Sequence, residues 1–203
     1  MGWLWNFFFN TKTQLKLWNR ALDATDSKKI IRRYAIMNSF DGALATFGIL
    51  LANYFSNVTD PNLIFVVGMS SGISMGISGF WGTFFIEQAE QRKEMKRMEK
   101  HMLISMKNKF LGFAYSFSSK ITAFVDGASP LITAFLILSP FLIFPIELAY
   151  KLAFLLSMLV FFFLGIVMGM IAKENIFLYA FKFLLAAIVA LFILYVFNGF
   201  GAH

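Results

Sequence analysis

Residues 68–102 read GMSSGISMGISGFWGTFFIEQAEQRKEMKRMEKHM. The first half is rich in Gly and Ser and carries no charge, whereas the second is dense in Glu, Lys, Arg and Met. No Pro or Gly falls between Thr83 and Met106, so nothing stops a helix where the composition changes. The stretch predicts one continuous helix that leaves a bilayer and carries on into water. At about 100° per residue, Glu87, Glu90, Glu94, Met98 and His101 fall within an arc of roughly 80° on the wet half. Arg92, Lys93, Lys96 and Lys100 occupy the far side. Keeping acids apart from bases costs local repulsion, and a face of carboxylates, thioether and imidazole offers ligands for a divalent cation.

Outward from that helix, the composition points to a membrane. The 203 residues are 59% hydrophobic and 14% charged, against about 25% charged in soluble proteins. The apolar residues come in unbroken blocks long enough to cross a hydrocarbon core about 30 Å thick. The expected class is an all-α polytopic membrane protein with five transmembrane helices, the second extended into the cytosol. A net charge of +7 would suit nucleic acid, but the bases flank the spans, as topology determinants do, and no nucleic-acid partner is expected. The absence of Cys removes disulfides, iron–sulfur ligation and thiolate sites, leaving Met and His as the soft ligands. No phosphate loop, paired zinc-protease histidines or nucleophile elbow occurs, so neither an enzyme nor a permanently bound cofactor is expected.

Four segments follow along the chain. Residues 1–33 lack the cleavage site of a signal peptide. Leu15, Leu17, Trp18 and Leu22 interleave with Lys12, Lys16 and Arg20 as in an amphipathic helix lying on a bilayer. Thr25, Asp26 or Ser27 can cap the helix that follows. Residues 34–86 hold the first two spans, about 34–55 and 62–86, joined by the turn SNVTDPN. Residues 87–117 form the charged cytosolic helix, and 118–203 hold three more spans, about 118–144, 148–172 and 176–198. Lys and Arg cluster before the first span and after the second but are absent from the turn between them, which predicts a cytoplasmic N-terminus.

Asp41 and Asp126 carry the sharpest chemical signal. A carboxylate at the centre of a span costs about 2.5–3.5 kcal/mol on insertion scales, so such acids face a partner or a cavity and mark ion or proton paths. No Lys or Arg within the first two spans neutralises them. Asp41-Gly42-Ala43 recurs as Asp126-Gly127-Ala128, which sets both acids at similar depth. Pro130 cannot donate to the carbonyl four residues back, that of Asp126. Gly68, Gly72, Gly76 and Gly79, and again Gly165 and Gly169, read as stripes for close helix packing, with Met75 a candidate soft ligand among them.

Asp41-Gly42 in the first span, Ser74-Met75-Gly76 followed by Gly79-Phe80 in the second, and the Glu- and Lys-rich helix beyond resemble the vacuolar iron transporter family. The resemblance implies five spans, a homodimer, and export of Fe²⁺ or Mn²⁺ from the cytosol by proton antiport. Asp41, Met75 and Asp126 would line the path, and Glu87, Glu90, Glu94, Met98 and His101 would collect the ion. The expected location is the cell membrane, or a vacuolar-type membrane in a eukaryote. Where that family carries a Glu two turns before the methionine this chain has Val67, for which Asp126 would substitute, and its cytosolic module is reduced to little more than one helix. The alternative is a membrane scaffold whose charged helix docks a soluble partner.

Overall fold

The computed structural model describes residues 11–102 and 110–200, and every regular element among them is helical. In order these are α1 (Thr11–Ala24), α2 (Ser27–Phe55), α3 (Pro61–Met102), α4 (Phe110–Leu138), a 3-10 turn (Ser139–Leu142), α5 (Ile146–Ala172) and α6 (Ile176–Phe200). Five of them, α2 to α6, are long and apolar enough to cross a membrane, an architecture compatible with a multi-pass membrane protein.

The breaks between helices have local causes. Between α1 and α2 the chain turns at Asp26, whose φ of 53° lies in the left-handed region. There the Thr25 hydroxyl donates to the Ala21 carbonyl at 3.0 Å and lies 2.7 Å from the Ser27 hydroxyl. Helix α3 starts at a proline, where the missing N–H costs nothing, and the Asp60 carboxylate accepts the Asn62 N–H at 2.9 Å. It then runs for 42 residues through the change of composition, as the absence of breakers predicts. Helix α5 ends with Lys173 in the left-handed conformation, while the Glu174 N–H reaches the Gly169 carbonyl and the Lys173 N–H that of Met170. That pair of bonds is a Schellman motif. The Asn175 side chain then accepts the Phe177 N–H at 3.0 Å and starts α6.

By compactness the chain divides into two units, Met1–Tyr34 with Phe80–Val125, and Ala35–Gly79 with Asp126–His203. These cut across the segments that composition suggests, because α2, α3 and α4 each contribute residues to both.

In the first unit the buried residues are notably polar. Ser27, Thr83, Glu87, Ser118, Ser119 and Thr122 are all 5% exposed or less. Trp18 stacks on Phe117 at 5.7 Å, and Thr25 and Ser118 share a 2.7 Å hydroxyl contact, so α1 and its turn pack on the start of α4. Trp81, Phe85 and Ile86, by contrast, are exposed. Polar side chains inside and aromatic ones outside is the arrangement expected where the surroundings are lipid.

The second unit has an apolar core in which Phe47, Leu50, Ile64, Ile137, Leu138 and Phe161 are at most 2% exposed. Glycines set the helix spacing. A Cβ on Gly68, Gly72 or Gly76 of α3 would lie 2.4–2.8 Å from atoms of Leu138, Ala134 or Gly127 on α4. A Cβ on Gly165 or Gly169 would meet the α6 backbone at 2.5 or 2.7 Å. Both glycine stripes therefore serve close packing, as their four-residue spacing implies. The outer surface of this unit is apolar, with Phe177, Phe181, Phe192 and Tyr195 of α6 more than 60% exposed.

Candidate functional site

Within the second unit, three helices converge on Asp126 for a reason visible in their small residues. Gly42 of α2 lies against Pro130 of α4, where a Cβ would be 2.6 Å from the Pro130 Cα. On α3, a Cβ at Gly76 would be 2.6 Å from the Gly127 carbonyl oxygen, and one at Gly79 would be 3.1 Å from the Asp126 Oδ2. Gly42 and Gly76 thus each let a neighbouring helix come close beside an acid. Pro130, fully buried, leaves the Asp126 carbonyl without its usual helical donor.

Asp126 is 3% exposed. Its Oδ1 accepts a hydrogen bond from the Asn38 side-chain amide on α2. Asn38 sits one turn before Asp41, so the two share a face of that helix. Asp41 itself is exposed on the surface of the chain. The structure therefore bonds Asn38 to Asp126 across α2 and α4 and sets Asp41 one turn further along the Asn38 face of α2. Met75 is half-buried on α3, one residue before the Gly76 contact, and Val67, two turns earlier, is 41% exposed.

Asn38 is absent from the sequence-derived candidates. The available signal was a polar residue inside an apolar span at i−3 from an acid. Its partner lies 88 residues away, out of reach of any local pattern.

The predicted acidic face on the charged half of α3 does not form a solvent-facing stripe. In the first unit Glu87 is 5% exposed, hydrogen-bonded by Tyr34 and near the charge of Arg33. One turn on, Gln91 accepts a hydrogen bond from Ser119. Glu94 is half-buried, lies near Tyr115, and is 3.9 Å from Arg97. Glu90 is exposed and Met98 half-buried, while the side chain of His101 lies outside the described residues. The helix is rotated so that 87, 91 and 94 face α4 and the start of α2, and the acids serve partly as buried hydrogen-bond partners. Among the described residues no group of three or more His, Cys, Asp or Glu could hold a metal ion. A cation held at Asp41 and Asp126 would take its other oxygens from Asn38, backbone or water.

No protein-family model matches the chain. It is similar to an uncharacterized protein of Methanocaldococcus jannaschii, with 29% identity over 161 residues that cover 77% of this chain and 82% of the relative.

Proposed function

We propose that the protein is a multi-pass membrane transporter that moves Fe²⁺ or Mn²⁺ out of the cytosol in exchange for protons. The observation that supports it is the pair of acids Asp41 and Asp126 inside helices suited to span a bilayer, with Asn38 bonded to the buried acid and one helical turn from the other. Two neighbouring carboxylates gain from anything that relieves their repulsion. A proton does so at one oxygen and a divalent cation at both, so the two occupants compete for one site. Competition of that kind is the elementary requirement for antiport. Met75 supplies a soft ligand on the packed helix, which favours a transition-metal ion such as Fe²⁺ over Mg²⁺ or Ca²⁺, while the carboxylates also suit Mn²⁺.

An acid exposed to hydrocarbon would be costly, about 2.5–3.5 kcal/mol at the bilayer centre. A second copy of the chain covering Asp41 removes that cost, and the functional unit is accordingly a homodimer. Glu90 and Glu94, with Met98 and His101, attract the ion on the cytosolic side, and Glu87 contributes through its buried contacts with Tyr34 and Arg33.

In proteoliposomes with an imposed pH gradient, the protein is expected to give Fe²⁺ or Mn²⁺ flux that collapses with the gradient. Asp41→Asn keeps the size of the side chain and removes its charge, and should reduce flux by at least about tenfold, the loss of one charge-assisted contact. Unaltered flux in that variant removes Asp41 from the mechanism. Absence of metal flux in the unmodified protein overturns the transport reading itself.

A further inference from the structure

The second unit contains a groove of about 910 Å³ between the end of α2, the 56–60 turn, α5 and α6. It lies apart from the acid pair and plays no part in the transport proposal. Its deep wall is apolar, formed by Phe47, Leu51, Phe154, Met158 and Leu191. Its polar side chains sit at one end, where Asn57, Thr59, Glu147, Lys151 and the tyrosines line the mouth. The Tyr150 hydroxyl donates to the Val58 carbonyl at 3.0 Å, tying the turn to α5 at that end. Tyr54 and Tyr195, 53% and 65% exposed, leave the side of the groove open.

We propose that this groove binds one membrane phospholipid with a zwitterionic headgroup, its acyl chain along Phe154 and Met158 and its headgroup at Glu147 and Lys151. The proposal rests on the bilayer location but not on metal transport. Three features argue for that occupant. The lining residues on α5 extend from Ile146 to Met158, about 18 Å at the helical rise, close to the roughly 15 Å depth of one leaflet. Polarity falls along that length in the order of a lipid, charged at the mouth and hydrocarbon below.

The charges at the mouth are the third feature. Glu147 precedes Lys151 by four residues, the spacing and order that favour a direct ion pair. Neither pairs with the other or with another described residue, and both are exposed. A phosphate against Lys151 and an ammonium against Glu147 would satisfy both, which an anionic headgroup cannot do. A helix from a second copy fits less well, because close helix packing favours small residues and this wall is built of bulky aromatics.

The 203-residue protein in nanodiscs is labelled with a phosphatidylethanolamine that carries a diazirine midway along one acyl chain, and adducts are mapped by peptide mass spectrometry. Adducts are expected on Phe154, Met158 and Leu191. Excess unlabelled phosphatidylethanolamine should suppress them, and phosphatidylglycerol with the same chains should compete about tenfold less well, as expected for one charge-assisted contact. Leu51→Trp fills the groove and should abolish the adducts. Lys151→Met, an exposed change that spares the core, should lower the labelling yield, and Glu147→Gln should narrow the gap between phosphatidylethanolamine and phosphatidylglycerol as competitors, which covers the case in which Leu51→Trp misfolds. Adducts spread over the outer face of α6 and insensitive to competitor would mean annular lipid only and overturn the site. Equal competition by phosphatidylglycerol overturns the headgroup assignment, and copy-to-copy contact mapped at Phe154 overturns the lipid. Because labelling is read without metal, its failure is distinct from a failure of metal flux.

Discussion

At Asp126, 3% exposed, the carboxylate depends on donors supplied by the protein, and Asn38 is one of them. Asn38→Leu removes that donor while keeping the branched shape and the number of heavy atoms of the side chain. Leaving a buried polar group short of a partner costs about 1–3 kcal/mol, so a fall in thermal stability of that size is expected in detergent. The cost should depend on the acid. In an Asp126→Asn background the loss from Asn38→Leu should shrink by about 1 kcal/mol or more, as a double-mutant cycle shows for residues in contact. Strict additivity would mean that the two side chains do not interact. Both acids of this group are legible in the sequence, because a charge inside an apolar run is rare and costly. Asn38 is less so, since an amide costs less in a span and its partner lies on a distant stretch of chain. Glu87 shows the opposite limit. Its spacing from Glu90 and Glu94 puts it on a common arc, but spacing carries no information about which side of that arc turns inward, and Tyr34 and Arg33 meet it there.

At the level of whole helices, ends and continuity follow from Pro, Gly and the apolar blocks, whereas rotation about each axis does not. In water the apolar face of a helix is the buried one. In a bilayer both faces are apolar, and small residues become the better guide to packing. Gly76 and Gly82 of α3 separate these cases within one element. A Cβ at Gly76 would sit 2.6 Å from the Gly127 carbonyl oxygen, while one at Gly82 would meet nothing within 4 Å. Gly76→Ala must therefore push α3 away from α4 and is expected to cost about 1–3 kcal/mol, the range for overpacking. Gly82→Ala should be neutral or stabilising by up to about 1 kcal/mol through helix propensity. Thermal melts of the two variants in the same detergent check this. Equal stability would mean that α3 and α4 do not approach as closely at Gly127 as the glycine contact requires.

For the molecule as a whole, Asp41 lies exposed on the second unit and calls for a cover within the membrane. Besides that acid, the second unit exposes Ser70, Ser74 and Ser78 at four-residue spacing on α3. The hydroxyls of Ser70 and Ser74 are turned back onto the carbonyls of Val66 and Ser70, at 2.7 and 2.8 Å. A stripe of small side chains with satisfied hydroxyls lets another helix approach closely without leaving donors stranded. The opposite face of the same helix carries Gly68, Gly72 and Gly76 and is already occupied by α4. Helix α3 thus has two small-residue faces, only one of them covered by the described residues, and the homodimer proposed above uses the other. The chain contains no Cys, so single cysteines report contacts between copies without background. Ser74→Cys, oxidised in native membranes, is expected to give a disulfide-linked dimer, since a bridge needs Cα atoms within about 7 Å. Ile188→Cys on the outer face of α6, 58% exposed, should stay monomeric under the same oxidant. A dimer from both positions would indicate random collision in the membrane. A monomer from Ser70→Cys, Ser74→Cys and Ser78→Cys alike would remove this stripe from the dimer contact and leave Asp41 to be covered from another side.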